Sequence, residues 1–217
     1  MPTPIHSPGG PLERVASRHL ETREKAVELF ARRGFAQVGL RELATHLGIK
    51  AGSIYNHIES KEALLFELME TFYGDLLEIV GKRSTAGAQK RLNELIDAHL
   101  DLHARKSDFF VVAQQQLHCL EPQHQASILA LRRRYEEHLI QLLTPFGISS
   151  SPSLATATVR TFSGLLSHLP VWSANAALDS AAHRRFLRNI ALSVIRGALE
   201  KPAPVLALVP GRAKAAS

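Results

Sequence analysis

A left-handed corner between two short helical patterns constrains this chain more than any other feature. In residues 40–57, LRELATHLGIKAGSIYNH, the apolar residues Leu40, Leu43, Ala44 and Leu47 recur at helical spacing. Gly48 follows, where a helix C-terminus needs a left-handed residue that only glycine adopts without penalty. Ile49 can plug the angle, and a second helix is predicted over 50–57, with Ile54 and Ile58 turned inward. Lys50, Ala51, Ser53, Tyr55, Asn56 and His57 are left on its outer surface. No Asp or Glu occurs between Glu42 and Glu59. A surface that lies against phosphate should look like this, because a carboxylate there would be repelled. The pattern predicts a helix-turn-helix whose second helix, 50–57, enters the major groove. An ordinary helical hairpin with a polar outside has the same kind of turn, so the flanks carry the distinction.

Those flanks are TREKAVELFARRGF (22–35) and GSIYNHIESKEALL (52–65). Together with the corner they resemble the TetR/AcrR family of bacterial transcriptional regulators, from Thr22 to Leu65. The resemblance implies that Tyr55, His57 and Lys61 contact backbone phosphates; a phenol, an imidazole and an ammonium can all donate to phosphate oxygen. Ala51, Ser53 and Asn56 are then placed to meet base edges, with Lys50 and Gly52 in the same segment and Arg41 reaching in from the preceding helix. Many relatives carry a Ser or Thr cap before that preceding helix; here Gly39 takes the place and has no side chain to offer a phosphate. The family also implies a homodimer on an inverted-repeat site in double-stranded DNA, and a small molecule that binds the C-terminal domain and releases the DNA.

Taken in order, residues 1–16 hold four prolines and an adjacent glycine pair and read as a flexible arm. A helix-turn-helix domain is expected over 17–62, with a first helix from Ser17 or Thr22 to Arg33 whose inner stripe is Ala26, Val27, Phe30 and Ala31. A helical ligand-binding and dimerisation domain is expected over 63–200. Its helices are predicted at about 60–81 (capped by Ser60), 88–105, 107–120, 122–145, 152–175 and 180–200, the intervening 81–88 and the FGISSSPS segment reading as breaks. Pro170 should kink the eighth of these nine helices near its end. The eighth and ninth are apolar on more than one side, so they are expected to pair with a partner subunit, with Phe162, Leu166, Ile190 and Val194 as contacts and Gly164 permitting close approach. Residues 201–217 read as a disordered tail. No alternating strand pattern or internal repeat is present, and the expected fold is all-α.

An effector pocket is expected between the fourth and eighth helices, lined by Leu68, Phe72, Ile96, His99, His103, Phe110, Leu117, Tyr135 and Phe162. That mixture suits a hydrophobic molecule with one polar end. An acyl thioester is a bolder option, its phosphates meeting Arg132, Arg133 and Arg134; the bland reading of those arginines is a solvated face. His99 and His103 are four apart, a helical metal spacing, with His118 and Cys119 as possible neighbours. No third ligand is specified by spacing, so neither a metal nor a cofactor is expected. There is also no Gly-rich phosphate loop, nucleophile elbow or distinctive carboxylate pair, so the chain is not read as an enzyme.

A net charge of +6 and a pI near 9.8 favour a polyanionic partner without proving one. One cysteine, the lack of a signal-like start and the lack of a membrane-length apolar run predict a cytoplasmic location. The expected function is a ligand-responsive repressor. The alternative is a constitutive architectural DNA-binding protein with no sensor role.

Overall fold

The structure, a computed structural model, describes residues 11–82, 87–148, 151–173 and 177–199, with side chains from residue 20 to residue 198 within those ranges. Among the described residues every regular element is helical. Helix α1 (Pro11–Arg33) leads through a 3-10 turn (Phe35–Gln37) into α2 (Leu40–Leu47), and a second 3-10 segment (Ala51–Asn56) follows. Then come α3 (Lys61–Gly81), α4 (Ala88–Gln115), α5 (Pro122–Leu143), α6 (Pro152–Trp172) and α7 (Ser180–Leu199).

Two boundaries differ from those expected. Helix α1 begins at Pro11, so 11–16 are helical and not part of an arm. Proline is tolerated at a helix start because the first amide has no intrahelical partner. The fifth and sixth expected helices meet end to end in α4 across a kink at Lys106 (φ −134°, ψ 38°), the residue left between them, but the second stops at Gln115 and not at 120. The Lys106 ammonium is drawn to Asp75 at 2.6 Å and lies over the Phe109 ring at 5.2 Å, which fixes the break against α3. Pro170 lies within the last turn of α6, the place expected for it. Residues 1–10 of the expected arm, 83–86 and 149–150 of the two breaks, and the expected tail lie outside the described residues.

One apolar core runs from the head into the body. Phe30, Phe35, Leu43, Ala44 and Ile54 fill the angle of the first helices, and Leu64, Leu65 and Leu68 carry the packing along α3. There α3 lies between α4 and α5, and α6 and α7 pair with each other at the far side. The second half of α4 returns to pack on α1, so the head rests on the body at two places, α3 and α4. Ion pairs of Arg184 with Asp101 and Arg188 with Asp97 tie α7 to the first half of α4.

Candidate nucleic-acid interface and effector cavity

Gly48 ends α2 at φ 73°, ψ 26°. Its amide bonds to Thr45 O at 3.1 Å, and the Ile49 amide reaches Ala44 O at 3.0 Å. These two reversed bonds are the Schellman arrangement, and they turn the chain sharply into 51–56. That segment is a 3-10 helix and not the α-helix expected over 50–57. The reason is local: Gly52 and Ser53 are weak helix formers, Ile54 is β-branched, and Lys50 supplies no side-chain cap. Ile54 and Ile58 are buried beneath it. Lys50, Ala51, Gly52, Asn56 and His57 are exposed, Ser53 is half-buried, and Tyr55 is 66% exposed. Arg41 is exposed on α2, and nearby Glu42 is drawn towards Arg33 at 3.9 Å. The face presented is therefore polar and basic.

Lys61 is employed differently from the phosphate contact expected of it. Its ammonium donates to Phe35 O at 2.9 Å and Val38 O at 2.7 Å and lies 4.2 Å above the Phe35 ring. Burial holds it below the ordinary lysine pKa, with Cys119 acting weakly the other way. It thus fastens the α1–α2 connection to the start of α3. From the body, Gln116 Oε1 accepts the Phe35 amide at 3.3 Å. Glu62, in the first turn of α3, accepts from the Glu121 amide at 2.9 Å and from His124 Nδ1 at 2.9 Å, and the His124 ring stacks on Phe66 at 4.0 Å.

In the body, a half-open cavity of about 240 Å³ lies between α3, α4, α5 and α6. Of the nine expected lining residues, Phe72 and Tyr135 border it. Phe110 lies against Phe72 (4.7 Å between rings), His99 (5.3 Å) and His103 (4.6 Å), a packed aromatic cluster with no place in the wall. Leu68, Ile96 and Phe162 are buried in the core, and Leu117 sits in the turn after α4, near the head. None of these seven borders this cavity: six are buried in the core, which takes up the apolar stripe that suggested them, and Leu117 is half-buried in its turn.

His99 and Tyr135 share a long buried contact of 3.5 Å, and His103 Nε2 donates to Ser167 O at 3.1 Å. Burial, with His103 beside it, takes the His99 pKa down to about 3, and burial pushes the Tyr135 hydroxyl well above its already high ordinary value. Both are neutral structural groups. Among the described residues no three His, Cys, Asp or Glu side chains gather to hold a metal.

Sequence reasoning missed most of the wall. Tyr73, Leu76, Gln114 and Glu136 border the cavity, as do Ser163, Gly164, Ser167 and His168 of α6. The signal was present in that last group, a small and polar stripe at positions i, i+1, i+4 and i+5 in an otherwise apolar helix. Arg132 borders the cavity, whereas Arg133 and Arg134 are exposed and outside its wall. Gly164 also belongs to the wall; a Cβ there would meet nothing within 4 Å, so it marks no tight helix contact within the chain. Phe162 and Leu166, expected at a subunit interface, are 0% and 1% exposed and belong to the chain's own core.

A glycine-cornered head with an exposed basic second segment, joined to a helical body with a cavity, is the architecture of helix-turn-helix regulators with a helical C-terminal domain. Residues 23–68 match the model for bacterial regulatory proteins of the tetR family, and residues 85–173 match the tetracyclin repressor-like C-terminal domain. The chain belongs to the TetR family. It is 30% identical over 132 residues to the HTH-type transcriptional repressor KstR2 of Mycobacterium tuberculosis, a match spanning 58% of this chain and 64% of that protein. Its fold is similar to that of PfmR, a TetR-family regulator from Thermus thermophilus (TM-score 0.66, 24% identity, 83% of this chain and 99% of that one). It is also similar to AibR, solved with isovaleryl coenzyme A and operator DNA (TM-score 0.66, 21% identity, 80% and 97% covered).

Proposed function

We propose that this protein is a cytoplasmic, ligand-responsive transcriptional repressor and not an enzyme. Its homodimer would bind an inverted repeat in double-stranded DNA and leave it when a small molecule occupies the body. The observation that carries this reading is the exposed run Lys50–His57, held outward by buried Ile54 and Ile58 and free of acidic residues. Tyr55 and His57 are the phosphate donors, Ala51, Ser53 and Asn56 face the bases, and Arg41 and Lys50 supply flanking charge. Dimerisation uses the outer faces of α6 and α7, where Trp172 and Phe186 stand exposed. The effector is an amphiphile with an apolar part; an acyl thioester is within this class, as the coenzyme A compound named with AibR illustrates for that protein.

The test is an electrophoretic shift with the DNA upstream of the protein's own gene, repeated with fatty acids, acyl thioesters and aromatic acids. Retarded DNA that at least one of these releases is the expected result. Binding to every duplex alike, unaffected by any small molecule, would overturn it in favour of an architectural protein.

A further inference from the structure

The cavity wall contains an ion-pair arrangement with a surplus cation. Glu136 is buried, its side chain 8% exposed, and it is held at both oxygens: Arg132 Nε donates to Oε1 and Arg160 Nε to Oε2, each at 3.1 Å. One well-placed cation is enough to neutralise a buried carboxylate, and here there are two. Both guanidinium groups use Nε alone. Among the described residues neither makes a hydrogen bond through its terminal nitrogens. That terminal pair is the planar fork that grips a carboxylate or phosphate at two points. Arg132 borders the cavity and is 47% exposed, so its fork is open to a molecule lodged there. Phe72, Leu76 and Ala113 give the same cavity an apolar side, and Ser163, Ser167 and His168 add polar groups.

We infer that the effector is an amphiphile bearing an oxyanion, gripped by the free fork of Arg132, and that Glu136 sets the strength of that grip. This rests on the reading of the cavity as the effector site. Glu136 orients Arg132 by holding its Nε, and its own charge opposes an incoming anion. An ammonium ligand is disfavoured, because Glu136 already carries two cations and a new one would have to displace an arginine. A neutral molecule gains only the apolar side. The oxyanion is either the carboxylate of a free acid or a phosphate of a thioester; the cavity volume, just under the range of about 300–1,000 Å³ usual for ligand sites, admits only part of the larger molecule.

The experiment is calorimetric titration of the full-length protein, without DNA, using octanoate, octanoyl coenzyme A, octanol and octylamine. At least one of the two anions should bind about tenfold or more tighter than octanol, with octylamine weakest. Arg132→Gln should erase that preference, bringing the anion down to the affinity that the same variant shows for octanol. Arg132→Lys, which keeps the charge and loses the fork, should give an intermediate loss. Glu136→Gln should tighten the anion by about tenfold, since it removes the opposing charge. Which anion binds identifies the source of the charge. The inference is overturned if neither anion binds, if octanol or octylamine equals them, or if Arg132→Gln retains the preference. Operator release is scored separately: an anion that binds through Arg132 yet leaves DNA bound counts against the effector reading and not against the site.

Discussion

Gly52 is the softest point of the DNA-facing segment. Its backbone lies outside the left-handed region, and an added Cβ would meet nothing within 4 Å. Gly52→Ala should therefore stabilise the protein by about 0.4–1 kcal/mol by restricting the unfolded chain, measured by urea denaturation. His99 makes a prediction of opposite character. Folding lowers its pKa to about 3 from an ordinary value near 6.5. The unfolded chain binds the proton more readily, so stability is full above about pH 6.5 and drains as pH falls, by up to about 1.4 kcal/mol per pH unit for this group. His103 is lowered too, chiefly by burial, and works in the same direction. His99→Leu should flatten the fall in stability between about pH 6.5 and pH 4 in denaturation curves. At this scale the sequence was readable where the cause is local. Gly48, Ile54 and Ile58 need only helical spacing and a positive φ to be placed. Lys61 was not readable, because its partners are carbonyls 26 and 23 residues away in the chain.

Among the elements, the start of α3 bears the junction, with Lys61 holding the head and Glu62 receiving the start of α5. Lys61→Met keeps the aliphatic stem and removes the donors. It should cost about 1–2 kcal/mol, less than a fully buried charged hydrogen bond because the ammonium is partly exposed. Chemical denaturation measures the loss, and amide exchange at the Phe35–Val38 turn should quicken. If stability were unchanged while DNA affinity fell, Lys61 would be a phosphate contact after all. The kink at Lys106 falls between the helices expected over 88–105 and 107–120 and was legible, whereas its anchor on α3, Asp75, lies 31 residues away and was not. The cavity was misread for a related reason. Large aromatic residues announce a pocket and a core alike, and here Phe110 and Phe162 went to the core.

At the scale of the whole molecule, the outer faces of α6 and α7 should decide assembly. Trp172→Glu with Phe186→Glu, at positions 68% and 41% exposed, should give folded monomers in sedimentation. Phe162→Glu, placed in the core, should instead abolish cooperative folding. A dimer that survives the double change, or a Phe162 variant that is merely monomeric, would reverse the assignment of these faces. The unbroken core between head and body has a consequence for engineering. Transplanting residues 20–60 onto the body of another regulator would strand the amide of Phe35 without Gln116 and the loop carbonyls without Lys61. A graft that also carries residues 61–66 and 116–124 should fold and keep its sequence preference. DNA specificity in this chain is thus exchangeable only as a keyed part, cut along the hydrogen bonds of the junction and not along the boundary between domains.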